Sequence, residues 1–181
     1  MYPPACPYGD DIMILCRSRQ EAKAALEQTK NILEDKLSLK LNSKKAKTAR
    51  KSQAFKFLGY LFGSGYSDYK MPRPQAVKAF KTKVRKVTRR QQPKAMSQIV
   101  KELNPVIRGW GRYFVYGKSK RVFWQLDCWI RDRLKAYKLK KWSKLSYQKI
   151  PGWRFEKLGL NSLYGLLKQQ RPELFLVKGQ R

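Results

Sequence analysis

Tyr8-Gly9-Asp10-Asp11, running straight into Ile12-Met13-Ile14-Leu15-Cys16, is the stretch on which the reading of this 181-residue chain turns. Two adjacent carboxylates at a tight turn, carried by an apolar strand, suit a site where divalent metal ions clamp phosphates. A pair of such ions can activate an attacking oxygen and steady a leaving one, and carboxylate oxygens are the hard ligands Mg²⁺ prefers. Taken alone, the tetrapeptide reads better as an ordinary hairpin connection, since Gly and Asp tolerate positive φ. The rest of the chain changes that balance.

Outward from the turn, Ile12 to Cys16 is expected to form a short buried strand. Ser18-Arg19-Gln20-Glu21 is a capping box, opening a helix with Ala22, Ala25, Leu26, Thr29, Ile32 and Leu33 on one face and its end near Leu37. Leu39-Lys40-Leu41 alternates as a brief strand, and Asn42 to Gln53 is a basic loop. Phe55 to Phe62 is the strongest strand signal in the chain, turned by Gly63-Ser64-Gly65 into another strand around Tyr66 to Met71.

Pro72 and Pro74 mark a change of character, after which the pattern is helical. Val77, Phe80, Val84 and Val87 form an apolar stripe flanked by Lys78, Lys81, Arg85 and Arg89, with Lys83, Lys86 and Arg90 behind. A second helix is expected from about Ser97 to Leu103, and Asn104-Pro105 restarts the chain as N-cap and N1 of a third. That third helix, to Tyr116, puts Ile107, Trp110 and Phe114 on one face and Arg108 with Arg112 on another. Ser119 opens a fourth, with Val122, Phe123, Leu126, Trp129, Ile130 and Leu134 inward. From about Lys138 the chain is basic and less regular, with a short helix near Asn161 to Gln170. The fold class is therefore α+β: a small sheet region, then an all-helical domain.

Lys and Arg number 42 against 12 acidic residues, a formal charge of +30. A chain this basic is offset by an anionic partner, and basic residues spread over its whole length favour an extended polyanion, nucleic acid above all. With 42% hydrophobic and 13% aromatic residues it is no disordered tail. No apolar run approaches the roughly 20 residues of a membrane span, and the start does not resemble a signal peptide. A membrane partner is not expected, and the expected location is the cytoplasm, or an organelle matrix for an organellar gene. Three scattered cysteines make neither a disulfide framework nor a zinc pair. The absence of histidine excludes His-dependent nucleases, His-based triads and His-containing zinc sites.

Several segments together resemble the group II intron reverse transcriptases, or maturases, over roughly residues 8 to 142. In order they are Tyr8-Gly9-Asp10-Asp11 with its apolar strand, the Ser18–Leu37 helix, Leu39-Lys40-Leu41-Asn42 and Phe57-Leu58-Gly59-Tyr60. The basic helix and Leu103-Asn104-Pro105 follow. Last come Arg108-Gly109-Trp110-Gly111-Arg112-Tyr113-Phe114 and Leu126-Asp127-Cys128-Trp129-Ile130-Arg131. The resemblance implies that residues 1–72 are the C-terminal part of a polymerase palm, 73–145 the helical thumb or X domain, and 146–181 a basic C-terminal extension. It implies that Asp10 ligates catalytic Mg²⁺, that Asp11 supports the site, and that Phe57, Leu58, Gly59 and Tyr60 position the primer. It also implies that the thumb helices grip template–primer and intron RNA.

Four departures qualify it. Fingers and the earlier palm strand with its metal-binding Asp are expected to be missing, since only seven residues precede Tyr8. Gly9 stands where the family more often has Ala. Pro3, Pro4 and Pro7 argue against a paired central strand. Asp10 and Asp11 are thus either live ligands or vestiges, and two carboxylates without a third make a poor cage for Mg²⁺, which favours vestiges.

The leading expectation is an RNA-binding, truncated member that does not polymerise alone. The alternatives are one half of a split enzyme, completed by a separate N-terminal reverse-transcriptase chain, and a general basic RNA-binding protein. Lys78, Lys81, Arg85, Arg89, Arg108 and Arg112 are the candidate RNA contacts, because a solvated face mixes signs and residues 76–90 contain no acid. Gly109 and Gly111 each cost about 1 kcal/mol inside a helix, so each is expected to mark close packing, by protein more commonly than by RNA backbone. Tyr113, Tyr116 and Trp153 are compatible with stacking on bases and equally with burial.

Overall fold

The computed structural model describes residues 4–8, 11–40, 46, 48–50, 52–63, 68–139 and 150–175. The chain divides into two compact units, Met1–Asp68 and Tyr69–Arg181, and its mixture of short antiparallel strands with a majority of helix is α+β.

In the first unit β1 (Ala5–Tyr8) pairs antiparallel with β2 (Asp11–Ile14), Ala5 opposite Ile14 and Tyr8 opposite Asp11. The proline-rich start, expected not to pair, therefore does. The Leu15 N–H donates to the Pro4 carbonyl at 3.0 Å, which sets the alternation. Pro7 falls between hydrogen-bonded positions, where its missing N–H would point away from β2, as an edge strand allows. The second correction is burial: Ile12 and Leu15 are 47% and 53% exposed, because a two-stranded ribbon leaves its faces open.

Helix α1 (Arg19–Asn31) starts as its capping box demands, with the Glu21 N–H donating to Ser18 Oγ at 3.1 Å. The Glu21 carboxylate accepts from the Arg17 N–H at 2.7 Å, one residue upstream of the usual partner. A π-helical turn, Ile32–Lys36, ends where Ser38 takes φ 52° and the Leu39 N–H returns to the Leu33 carbonyl at 2.8 Å. This helix stop consumes the backbone where a strand over Leu39-Lys40-Leu41 was expected. Leu39 and Lys40 are not in a strand, and Leu41 lies outside the described residues.

The long strand expected over Phe55 to Phe62 is instead a hairpin, β3 (Phe55–Phe57) against β4 (Tyr60–Gly63). Leu58 and Gly59 form its tip at φ 45° and 76°, the positive pair that a tight two-residue hairpin loop requires. The Phe55 and Phe62 rings, on opposite residues, stack at 5.1 Å with 6° between planes. Among the described apolar side chains of this unit only Ala25 and Tyr60 are buried.

The second unit opens with β5 (Tyr69–Pro72), whose Lys70 carbonyl accepts from the Lys118 N–H at 2.7 Å. Helix α2 (Pro74–Val87) begins with Pro at N1 and buries Phe80 and Val84. Helix α3 (Met96–Phe114) is continuous, with Pro105 inside it, where a break was expected. Pro in a helix interior costs about 3 kcal/mol. Burial of Val100, Leu103, Ile107 and Phe114 along one uninterrupted stripe offsets that cost. Asn104 does not cap. Its Nδ2 donates to the Gly159 carbonyl and its Oδ1 accepts from the Asn161 N–H, both at 2.9 Å.

Helix α4 (Lys120–Leu139) follows Ser119, and the later chain supplies α5 (Trp153–Lys157), α6 (Leu163–Gln170) and a 3₁₀ turn, Pro172–Leu174. Helix α6 packs on both α3 and α4. Phe155, Leu163 and Leu167 are almost wholly buried, and the Trp110 ring lies 4.7, 4.6 and 5.6 Å from Phe80, Phe114 and Phe123.

These contrasts in burial set an expectation for local stability. Amide hydrogen exchange should show stronger protection across Val122–Leu134, which contains several fully buried residues, than across Ile12–Cys16. Equal protection in the two segments would count against a weakly packed first unit.

Candidate nucleic-acid interface

Helix α2 carries no acid, and Lys78, Arg85, Lys86 and Arg89 are exposed. Lys81 is half-buried. Its Nζ sits 5.4 Å from the centre of the Trp129 ring, and the Arg85 guanidinium sits 5.5 Å from it. The indole draws both cations onto one aromatic plate between α2 and α4 without neutralising them, so their charge remains available to phosphate.

Arg89 departs from the expected face, because α2 ends at Val87. Thr88 stops the helix, its hydroxyl donating back to the Val84 carbonyl at 2.8 Å. Arg133 of α4 then fixes the corner, donating from Nε to Thr88 Oγ1 at 3.2 Å and from Nη2 to the Thr88 carbonyl at 3.1 Å. Arg89 therefore lies in the connection that follows. That connection is held further along by the Tyr137 hydroxyl, 2.9 and 2.7 Å from the Gln92 and Lys94 carbonyls.

On α3, Arg108 and Arg112 are both exposed and one helical turn apart. Tyr113 and Tyr116 are 46% and 62% exposed, and Trp153 on α5 is 50% exposed beneath Arg154 and Lys157. Exposure of all three rings resolves the choice between core and surface that their sequence left open. The two glycines separate as well. A Cβ on Gly111 would lie 2.9 Å from Leu163 Cδ2 and 3.0 Å from Leu166 Cδ1, so α6 occupies that space. A Cβ on Gly109 would meet nothing within 4 Å among the described residues.

Each acid of the helical unit has a partner within it, Asp127 in the interior and the other four at the surface. Asp127, buried on α4, accepts from Ser162 Oγ at 2.6 Å and from the Leu163 and Tyr164 N–H groups at 2.9 Å, holding the N-terminus of α6. Glu102 pairs with Lys94, Glu156 with Arg131, Asp132 with Lys135 and Glu173 with Arg171. The Arg171 guanidinium holds the Glu173 carboxyl below the usual carboxylate range. Asp127 escaped sequence reasoning, although the signal was present: it shares the stripe of Phe123, Ile130 and Leu134, where an acid must find donors.

The sequence-derived catalytic and primer-positioning residues are less gathered. Asp10, with Gly9, lies outside the described residues, and Asp11 is a single exposed carboxylate at the start of β2. Among the described residues no three Asp, Glu, Cys or His side chains stand together. Mg²⁺ requires several oxygens in near-octahedral array, so the described donors alone do not make its site. Phe57, Leu58, Gly59 and Tyr60 are the hairpin tip and the two residues flanking it. Of Lys44, Lys45, Lys47, Arg50 and Lys51 in the basic loop, only Arg50 is described.

Comparison with known families gives two matches. Residues 77–156 match the group II intron maturase-specific domain, and residues 4–62 match the reverse transcriptase (RNA-dependent DNA polymerase) domain. No curated protein matches the chain. No helix among the described residues is long and apolar enough to cross a membrane.

Proposed function

We propose, taking as premise that the chain belongs to the group II intron reverse transcriptase and maturase family, that its helical unit holds structured RNA on the outer faces of α2 and α3. The maturase-specific match implies intron RNA as the ligand. The observation that carries the surface assignment is the sorting of charge. Helix α2 and residues 108–116 contain no acid, and the acids of this unit sit beside other cations, so Lys78, Arg85, Lys86, Arg108 and Arg112 stand exposed without an acidic partner among the described residues. Polyanion binding of this kind is driven by release of condensed counterions, so the salt dependence of affinity reports the number of phosphates met. Template–primer is a second polyanion the same faces could hold, with a separate polymerase chain as a further partner.

The test is a pair of variants read by salt titration. Replacing Lys81 and Arg85 of α2, with Arg89 of the connection after it, by Gln should weaken binding to structured intron RNA and flatten the plot of log K against log salt by about two to three units. Replacing Arg108 and Arg112 with Gln should flatten it by about one to two. Helix content should not change, since Gln is a good helix former and keeps a stem over Trp129. Unchanged affinity and slope in both variants would show that these faces are merely solvated. Equal competition by unrelated structured RNA would favour a general RNA-binding role over an intron-specific one.

A further inference from the structure

Helix α3 presents one outward feature that the packing of the helical unit does not account for. Glycine weakens a helix interior because it has more backbone freedom to lose and no side chain to shield the hydrogen bonds. For Gly111 the compensation is the approach of Leu163 and Leu166 from α6. Gly109 has no such neighbour among the described residues: it is exposed, and none of them enters the space its side chain would occupy. What surrounds the gap is chemically specific. Arg108 and Arg112 stand on either side of it in sequence, both exposed, and the half-exposed Tyr113 lies one turn further along. Tyr116 follows just past the helix end, 62% exposed.

We infer that this strip of α3 is a docking site for an unpaired RNA segment. The sugar–phosphate backbone passes over Gly109 alongside the ridge of Arg108 and Arg112, and bases stack on Tyr113 and Tyr116. The inference rests on the RNA-binding reading above and assigns it a contact point and a strand type. A missing Cβ lets a backbone approach the helix more closely than any other residue would. Two guanidiniums one turn apart supply charge-assisted hydrogen bonds to phosphate oxygens. Aromatic faces select unpaired nucleotides, because the bases of a duplex are already stacked on one another and turn their edges, not their faces, outward.

Binding of the full 181-residue chain to three probes tests this: an unstructured RNA oligonucleotide of about 12 nucleotides, a blunt RNA duplex of equal length, and structured intron RNA. Gly109→Ala should move two readouts in opposite directions. The thermal midpoint should rise by about 2–6 °C, since alanine favours helix and the site is open. Affinity for the unstructured probe should fall about 3–10-fold, and further for Gly109→Gln, on the order of a lost hydrogen bond or stacked base. Tyr116→Ala should cost that probe about 5-fold or more, Tyr116→Phe should restore it, and the duplex should be indifferent to both.

A Gly109→Ala protein that is stabilised yet binds all probes like the parent overturns this inference and leaves the RNA-binding reading standing. Equal losses for duplex and unstructured probe, with Tyr116→Ala silent, overturn the unpaired-strand assignment. Absence of binding to any RNA by the parent chain overturns both.

Discussion

Replacing Asp127 with Ala should destabilise the helical unit by about 3 kcal/mol and lower its thermal midpoint by roughly 10–20 °C. The carboxylate is buried and accepts three hydrogen bonds, two from backbone N–H groups at the start of α6 and one from the Ser162 hydroxyl. Truncation would leave those donors without an acceptor in a place water reaches poorly, and hydrogen bonds to an ionised group contribute more than neutral ones. It would also remove the negative charge that opposes the positive end of α6. Asp127→Asn should lose less, because one oxygen remains to accept while the amide nitrogen turns a donor toward donors. Denaturant unfolding followed by tryptophan fluorescence reads the difference directly. A loss below about 1 kcal/mol would mean that Ser162, which also accepts from the Gly165 N–H at 2.9 Å, suffices as cap.

Ending the chain at Leu139 should have a still larger effect and abolish cooperative unfolding of the helical unit. Phe155, Leu163 and Leu167 are at most 1% exposed, and burying side chains of this size contributes about 1.5–3 kcal/mol each. Their combined loss is comparable to the whole stability of an ordinary domain, about 5–15 kcal/mol. It would also bare apolar surface on α3 and α4, the two helices that α6 covers. The shortened chain should therefore retain helical circular dichroism, bind a hydrophobic dye and melt without a sharp transition. A sharp transition close to that of the full chain would show that α2, α3 and α4 form a sufficient core by themselves.

What could be read in advance was whatever depends on local periodicity. The stripes of α2 and α4 and the cap at Ser18 are consequences of residues three and four apart, and each reappears in the structure. The change of character near Pro72 was visible because composition shifts there. Where a distant residue decides, reading failed. Asn104 has the chemistry of a helix cap, but Gly159 and Asn161 claim its amide, 55 and 57 residues away. Pro105 should end a helix, yet the buried stripe on both sides of it carries α3 through. Leu58 gave no sign of taking positive φ; the turn it makes brings Phe55 opposite Phe62, where the two rings stack. At the candidate interface the charge was legible from sequence. The division between arginines that work inside the fold, such as Arg133, and those left outside, such as Arg108, was not.

The lack of any acid in α2 and in residues 108–116 also limits how those faces can discriminate. Recognition of one nucleic acid over another gains much of its sharpness from rejection, in which a misplaced partner meets a like charge or an unsatisfied group. Carboxylates can supply both, repelling a phosphate that strays and accepting from the amino group of cytosine. Here Asp127 caps a helix, and the exposed Glu102, Asp132, Glu156 and Glu173 fall outside those two stretches, each beside a cation of its own. Selectivity must then come from form: where the exposed rings and the gap at Gly109 sit, and which folded RNA can bring phosphates and loose bases to those places together.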